Sequence, residues 1–333
     1  MTEPASLASE PLFGLPLAEL WFGLVFFIFG MFLFLDGFDF GVGILFATRD
    51  DVDEKEQLLS AIGPFWDGNE VWLVVFGGAM FAAFPSVYAN LFSRHYLLMF
   101  AILAALGLRG LAPEMYEQRE DATWKVWWGR AFVVGSLTTP FLLGLFTANW
   151  LLGATTLVTP PGIVVGLALA ALTVVDGVAF LRLKTRGDLR EELRTDGYRA
   201  LAAYLVLVVI ALGYLYATTP VLRSGLLSPL VTGLVVATLV LAGGYAAATA
   251  RDCHYLAFAT AAGLVFALVG IVAGLMYPVI DRVSGLTVEA AIVSLLPLNV
   301  MSIGAALLLP LIFGYFGVLY SVFSGPIETG ESY

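Results

Sequence analysis

Five carboxylates stand inside apolar stretches of the chain: Asp36, Asp39, Asp67, Glu70 and Asp176. An aspartate held near mid-membrane costs roughly 2.5–3.5 kcal/mol, so such groups are functional suspects. Asp36 and Asp39 lie in LFLDGFDFGVG, three residues apart, which places them about 60° apart on a helix. They share a face, and Gly37 and Gly41 form a small-xxx-small pair that lets another helix approach closely. That reads as an acidic, proton-accessible stripe and a docking face for a partner subunit. The bland alternative is an acidic pair meeting water at the membrane edge. In IGPFWDGNEVW, Trp66, Asp67, Asn69 and Glu70 fall within about 160° of helical arc, continued by Gly77 and Gly78. That predicts one polar face, suited to a water-filled crevice or a hydrogen-bond network between helices. Acids at a helix start also complement its dipole, and that role does not prevent them from exchanging protons. Arg109, in GLRGLAPEMYEQRED, is placed at the cytoplasmic end of its span, either neutralising one of these acids or snorkelling to the interface.

Other chemistry is poorly provided for. Cys253 is the single cysteine, which excludes an internal disulfide and a cysteine-based zinc or iron–sulfur site. His95 and His254 are the two histidines; they are expected on opposite membrane faces, so no metal site is expected. No catalytic or cofactor-binding residue is assigned to this chain.

The elements that must position these groups follow from composition. The 333 residues are 60% hydrophobic and 13% charged, with a mean hydropathy of +0.91. A soluble domain is nearer half apolar and a quarter charged. The chain therefore reads as an all-α polytopic membrane protein, and disorder, a secreted disulfide scaffold and a nucleic-acid binder are excluded. Apolar runs predict about nine transmembrane helices: 18–47, 62–84, 87–112, 126–148, 162–183, 198–217, 227–249, 254–277 and 296–323. The side reached after odd-numbered spans holds thirteen Lys and Arg, the other three. The positive-inside rule makes the richer side cytoplasmic, with the N-terminus outside and the C-terminus inside. Residues 184–197 read as a solvated connector. Residues 1–13 carry Glu3 and Glu10 and no basic segment, so no signal peptide is expected. The net charge of −10, with few lysines, is compatible with a salt-adapted source.

Asp-Gly-x-x-Phe occurs at 36–40 and again at 176–180. That allows a single membrane domain made of four-helix units 18–148 and 162–277 plus an extra helix, 296–323.

The strings LDGFDFGVG (35–43), IGPFWDGNEVW (62–72), GGAMFAAFPSVYA (77–89) and LRG (108–110) occur in order at tight spacing, followed by MYP (276–278) and LTVEAA (286–291). Together they resemble subunit II of the cytochrome bd-type quinol oxidases, over about residues 15–325. The resemblance implies a subunit of a complex in the prokaryotic plasma membrane that oxidises quinol and reduces O2 to water. It implies a haem-bearing subunit I, with haems b and d, as partner, and no haem in this chain. It implies a cytoplasmic proton route through Asp67, with Asp36, Asp39 and Glu70, supported by Trp66, Asn69 and Arg109. A small third subunit and a structural quinone are left open. The alternative from the residues alone is a secondary proton or ion transporter; a quinol oxidase subunit binding its own haem through His95 and a methionine is a third reading.

Overall fold

In a computed structural model describing residues 7–326, the chain is a helical bundle. Its helices are α1 (Leu17–Leu45), α2 (Val52–Ile62), α3 (Trp66–Ala83), α4 (Pro85–Arg94), α5 (Tyr96–Glu117), α6 (Ala122–Leu152), α7 (Pro160–Lys184), α8 (Gly187–Thr218), α9 (Pro220–Leu226), α10 (Pro229–Ala250), α11 (His254–Met276), α12 (Val288–Ala291) and α13 (Leu295–Val322). A hairpin of β1 (Val279–Asp281) and β2 (Leu286–Thr287) lies between α11 and α12. Of residues 1–13, in which no signal peptide is expected, residues 1–6 lie outside the described residues.

Among the described residues, eight helices are long and apolar enough to cross a membrane. They are α1, α5, α6, α7, α8, α10, α11 and α13. The remaining expected span, 62–84, corresponds to α3, which has 18 residues. Asp67, Asn69 and Glu70 lower its hydropathy, yet at 1.5 Å per residue it is still about 27 Å long. Three boundaries differ from the sequence expectation. The run 87–112 divides at His95 into α4 and α5, and α5 runs on to Glu117. Arg109 therefore sits inside a helix, and twelve rather than thirteen cations remain at the basic side. Residues 187–197 are not a loop but the first turns of α8. Arg49 binds this segment through Glu192 (2.5 Å) and Asp196. The segment 52–62, unassigned from sequence, is α2, N-capped by Asp51.

Helix α1 is apolar on every side, and a helix of that kind is buried. It packs against α3, α6, α7 and α11. Around α7 lie α1, α6, α8 and α11, while α5 pairs with α6 and α10 with α11. Between α1 and α7 the small-xxx-small pair is used, but inside the chain. A Cβ on Gly41 would overlap the backbone of Thr173 and Gly177, and one on Gly177 would lie 2.7 Å from Gly41. Phe38 and Phe180 stack beside this crossing at 4.1 Å. The expected docking of this face on a partner subunit is thereby corrected: α7 already covers it. Helix α13 lies against α1 and α3 through side chains. Trp21 donates to Ser302 (2.9 Å), and Trp72 packs on Phe313 and Phe316.

The hairpin closes one end of the bundle. Trp150 donates to the Ile280 carbonyl, and Arg282 donates to the carbonyls of Leu151 and Leu275. These last two are helix-end acceptors of α6 and α11 that lack intrahelical donors. Asp281 is buried and accepts from Arg94 (3.1 and 3.2 Å) and Ser284 (2.6 Å). Burial alone pushes its carboxyl up; Arg94, Ser284 and the Val283 amide outweigh this and hold it below the usual range.

Two outcomes follow from this packing. Gly177→Ala must push α1 from α7, whereas at Gly37 a Cβ meets its nearest atom at an ordinary 3.4 Å. Overpacking costs about 1–3 kcal/mol, so heat-unfolding midpoints should fall for Gly177→Ala and change little for Gly37→Ala. Equal midpoints would show that the crossing has slack. For Asp281, a depressed folded pKa gives stability that is complete above the unfolded value, about 3.9, and is lost as pH falls through the folded value. The difference in midpoint between wild type and Asp281→Asn should therefore be constant above about pH 5 and shrink below about pH 4. A difference independent of pH would assign the effect to shape.

Candidate functional site

The acids predicted from sequence converge on α1, in two separate arrangements. Asp36 is fully buried and forms an ion pair with Arg109 of α5, itself 1% exposed. Gly135 of α6 lets the α5 backbone come close at this level: a Cβ there would lie 2.6 Å from the Arg109 backbone nitrogen. The guanidinium also lies over the rings of Phe40 (5.0 Å) and Trp66 (5.8 Å). Arg109 thus neutralises Asp36 deep in the bundle and does not snorkel to an interface.

One turn on, Asp39 accepts a hydrogen bond from Asn69 Nδ2 of α3 (2.9 Å). Tyr320 of α13 donates its hydroxyl to Asn69 Oδ1 (3.0 Å). The electrostatic neighbours of Asp39 are Glu70 and Asp176. Asp176 of α7 is fully buried, and neither carboxylate oxygen has a hydrogen-bond partner among the described residues. Its Oδ2 lies 3.4 Å from where a Gly37 Cβ would stand. Asp36 thus has a cation partner, whereas Asp39 and Asp176 have none among the described residues. Uncompensated carboxylates of that kind persist where the protein uses their protons or charge.

The expected single polar face of α3 is divided. Asn69, Trp72, Phe76, Met80 and Ala83 are buried, with Phe76 against Phe29 of α1, Trp72 against α13 and Asn69 bonded to both helices. Asp67 precedes Asn69 by two residues, about 200° round the helix, and is exposed. It heads an exposed stripe with Val71, Val74 and Phe81. Trp66 and Glu70 lie half-buried between the two sides. The structure therefore joins Asn69 to Asp39, and Trp66 and Arg109 to Asp36, and sets Asp67 on the outer side of α3. Tyr320 was missed from sequence, because a tyrosine 251 residues from Asn69 carries no local signal.

His95 is buried at the α4–α5 junction, edge-on to Phe146, with its Nε2 unpartnered among the described residues. His254 begins α11, and Cys253 is exposed. Among the described residues, no group of three or more His, Cys, Asp or Glu is placed to hold a metal ion.

Fold and site define a polytopic membrane protein with a carboxylate array at the centre of its bundle. The chain belongs to the cytochrome bd terminal oxidase subunit II family, whose profile matches residues 17–323. It is 31% identical to the Bacillus subtilis cytochrome bd ubiquinol oxidase subunit 2, over 95% of this chain and 98% of that protein. It is 34% identical to the Escherichia coli cytochrome bd-I ubiquinol oxidase subunit 2, over 58% of this chain and 55% of that one. A chain in the structure of bd oxidase from Geobacillus thermodenitrificans shares the fold, with a TM-score of 0.77 and 15% identity over 93% of this chain and 99% of that one. The protein is thus a multi-pass component of a prokaryotic plasma membrane, and the family replaces the transporter alternative.

Removing one member of a buried ion pair costs about 3–5 kcal/mol, because the other is left uncompensated. Arg109→Gln and Asp36→Asn should each lower the unfolding midpoint of the purified complex strongly, and the double variant by less than their sum. Strict additivity in that double-mutant cycle would mean that the pair is not coupled.

Proposed function

We propose that this chain is the haem-free subunit of a quinol-oxidising terminal oxidase, and that it lines a proton route from the cytoplasmic side. In this reading it packs against a haem-bearing subunit I, where haems b and d oxidise membrane quinol and reduce O2 to water. The chain's own work is to bind that partner, exclude water and handle protons. The two four-helix units then correspond to α1, α3, α5, α6 and α7, α8, α10, α11, with α13 as the extra helix. Reciprocal packing of α1 and α7 against α6 and α11 supports that division.

The observation that carries the reading is the line of carboxylates from Asp67 on the outer side of α3, through half-buried Glu70, to buried Asp39 and Asp176. Reduction of O2 to water consumes one proton for every electron, and a buried reaction centre needs titratable groups to deliver them. Asp67 opens α3 on the side to which the charge distribution assigns the cytoplasm. Its stripe continues along α3 as exposed Val71, Val74 and Phe81, and α5 and α13 also expose apolar side chains, among them Phe100, Leu103, Leu307 and Leu311. Such a face suits a partner within the membrane better than water. Asp36, held by Arg109, fixes the local field while Asp39 and Glu70 exchange protons; Trp66 and Asn69 hold the array in place.

Asp67→Asn keeps shape and hydrogen-bonding capacity but removes the titratable group. The variant complex should assemble with haem in the partner, and its quinol oxidase turnover per haem should fall at least several-fold, more so as pH rises and protons become scarce. A lower yield with unchanged turnover per haem would make Asp67 a structural acid. Isolation of this chain alone with stoichiometric haem would overturn the division of labour.

A further inference from the structure

We propose that a groove between the end of α1, the start of α2 and the start of α6 binds an anionic phospholipid of the cytoplasmic leaflet. The groove has a volume of about 850 Å3, within the range of about 300–1,000 Å3 typical of small-molecule sites. Its charged lining sets Arg49, Lys55, Lys125 and Arg130 against Asp50 and Glu120, and Phe46, Gly129 and Val133 give it an apolar wall. Polar chemistry therefore gives way to apolar wall along a single cleft, as a headgroup followed by an acyl chain requires.

The charges in the lining are not all spoken for. Arg49 is taken by Glu192 and Asp196, and Lys125 by Glu56 (3.0 Å) and Glu120 (2.8 Å). Lys55 and Arg130 have no ion-pair partner among the described residues; each lies over a ring instead, Phe46 at 5.5 Å and Trp127 at 5.7 Å. In a chain of net charge −10, a lining with four cations and two carboxylates is a local positive excess.

Depth fits as well. Trp124, Trp127 and Trp128 crowd the first turns of α6, where aromatic side chains mark a membrane–water interface. From Lys125 to Val134 the helix rises about 14 Å, from headgroup level into the hydrocarbon. Exposed Val126 and Val134 on the same helix face outward from the bundle. Basic pockets between helices on the cytoplasmic side attract anionic headgroups, each basic side chain near the surface being worth roughly a fivefold change in binding. The inference uses the side assignment from the charge distribution and is independent of the proton route.

The test is native mass spectrometry of the purified complex, delipidated and titrated with phosphatidylglycerol or phosphatidylcholine. Wild type should bind phosphatidylglycerol at least several-fold more tightly. Lys55→Gln and Arg130→Gln should each weaken it roughly fivefold, and Lys55→Arg with Arg130→Lys should retain it. Arg199→Gln, a cytoplasmic-side change on α8 outside the groove, should leave it unaltered. Equal binding of both lipids, or undiminished binding in the double Gln variant, would overturn the proposal. So would an equal loss in Arg199→Gln, which would indicate diffuse attraction. Displacement by inorganic phosphate alone would reassign the cleft to a free anion. Absence of bound lipid in the wild-type complex would mean that the cleft is covered by protein.

Discussion

A guanidinium inside an apolar bundle is the constraint to which the rest of this fold answers. Arg109 cannot reach water, so it must find its negative partner within the chain. Asp36 supplies it, and several other features exist to make that meeting possible. Gly135 removes the side chain that would hold α5 away from α6. Phe40 and Trp66 give the cation aromatic faces, which are worth most where water is excluded. The pair ties α1 to α5, and one turn further along α1 Asp39 meets Asn69 of α3.

The repeated Asp-Gly string shows how such a solution can be used on one side only. On α1, the aspartate of the string has Arg109. On α7, Asp176 occupies the matching place and has no partner among the described residues. The strings meet at the α1–α7 crossing, with Phe38 on Phe180 and Gly177 on Gly41, the residue just after the first string. One crossing thus brings a compensated and an uncompensated acid into the same small volume. A fold selected for stability alone would have no reason to keep the second.

Much of this was legible in the sequence because lipid imposes simple rules. Long apolar runs gave the helices, and rare acids inside them marked the array. What was hidden depends on which side of a helix another helix covers. Asp67 and Asn69 lie in one short polar string, yet packing of α3 on α1 buries one and exposes the other. Arg109 looked terminal because the helix beyond it, LAPEMYE, is no longer strongly apolar; it stays helical with Pro113 inside. The charged start of α8 looked like a loop for the same reason, although Asp, Glu and Arg spaced along a helix support it outside the membrane. The hairpin is too short to show a strand period at all.

The chemistry of Asn69 decides how the array can work. Its amide accepts from Tyr320 through oxygen and donates to Asp39 through nitrogen, so both ends are committed in one direction. An amide held in this way orients its neighbours but does not pass a proton along, because its N–H groups are not acidic at physiological pH. Above it, Phe65 packs against Tyr320 (4.7 Å), Phe180 (5.7 Å) and Phe323 (6.0 Å), an aromatic layer between the cytoplasmic end of the bundle and Asp39. In the proposed route a proton therefore does not arrive at Asp39 through Tyr320 and Asn69. It arrives from the side of Glu70, the half-buried carboxylate that is the electrostatic neighbour of both Asp67 and Asp39. Asn69 and Tyr320 then act as positioning groups that hold Asp39 toward Glu70 and Asp176, and the directionality of the array lies in α3 rather than in α13.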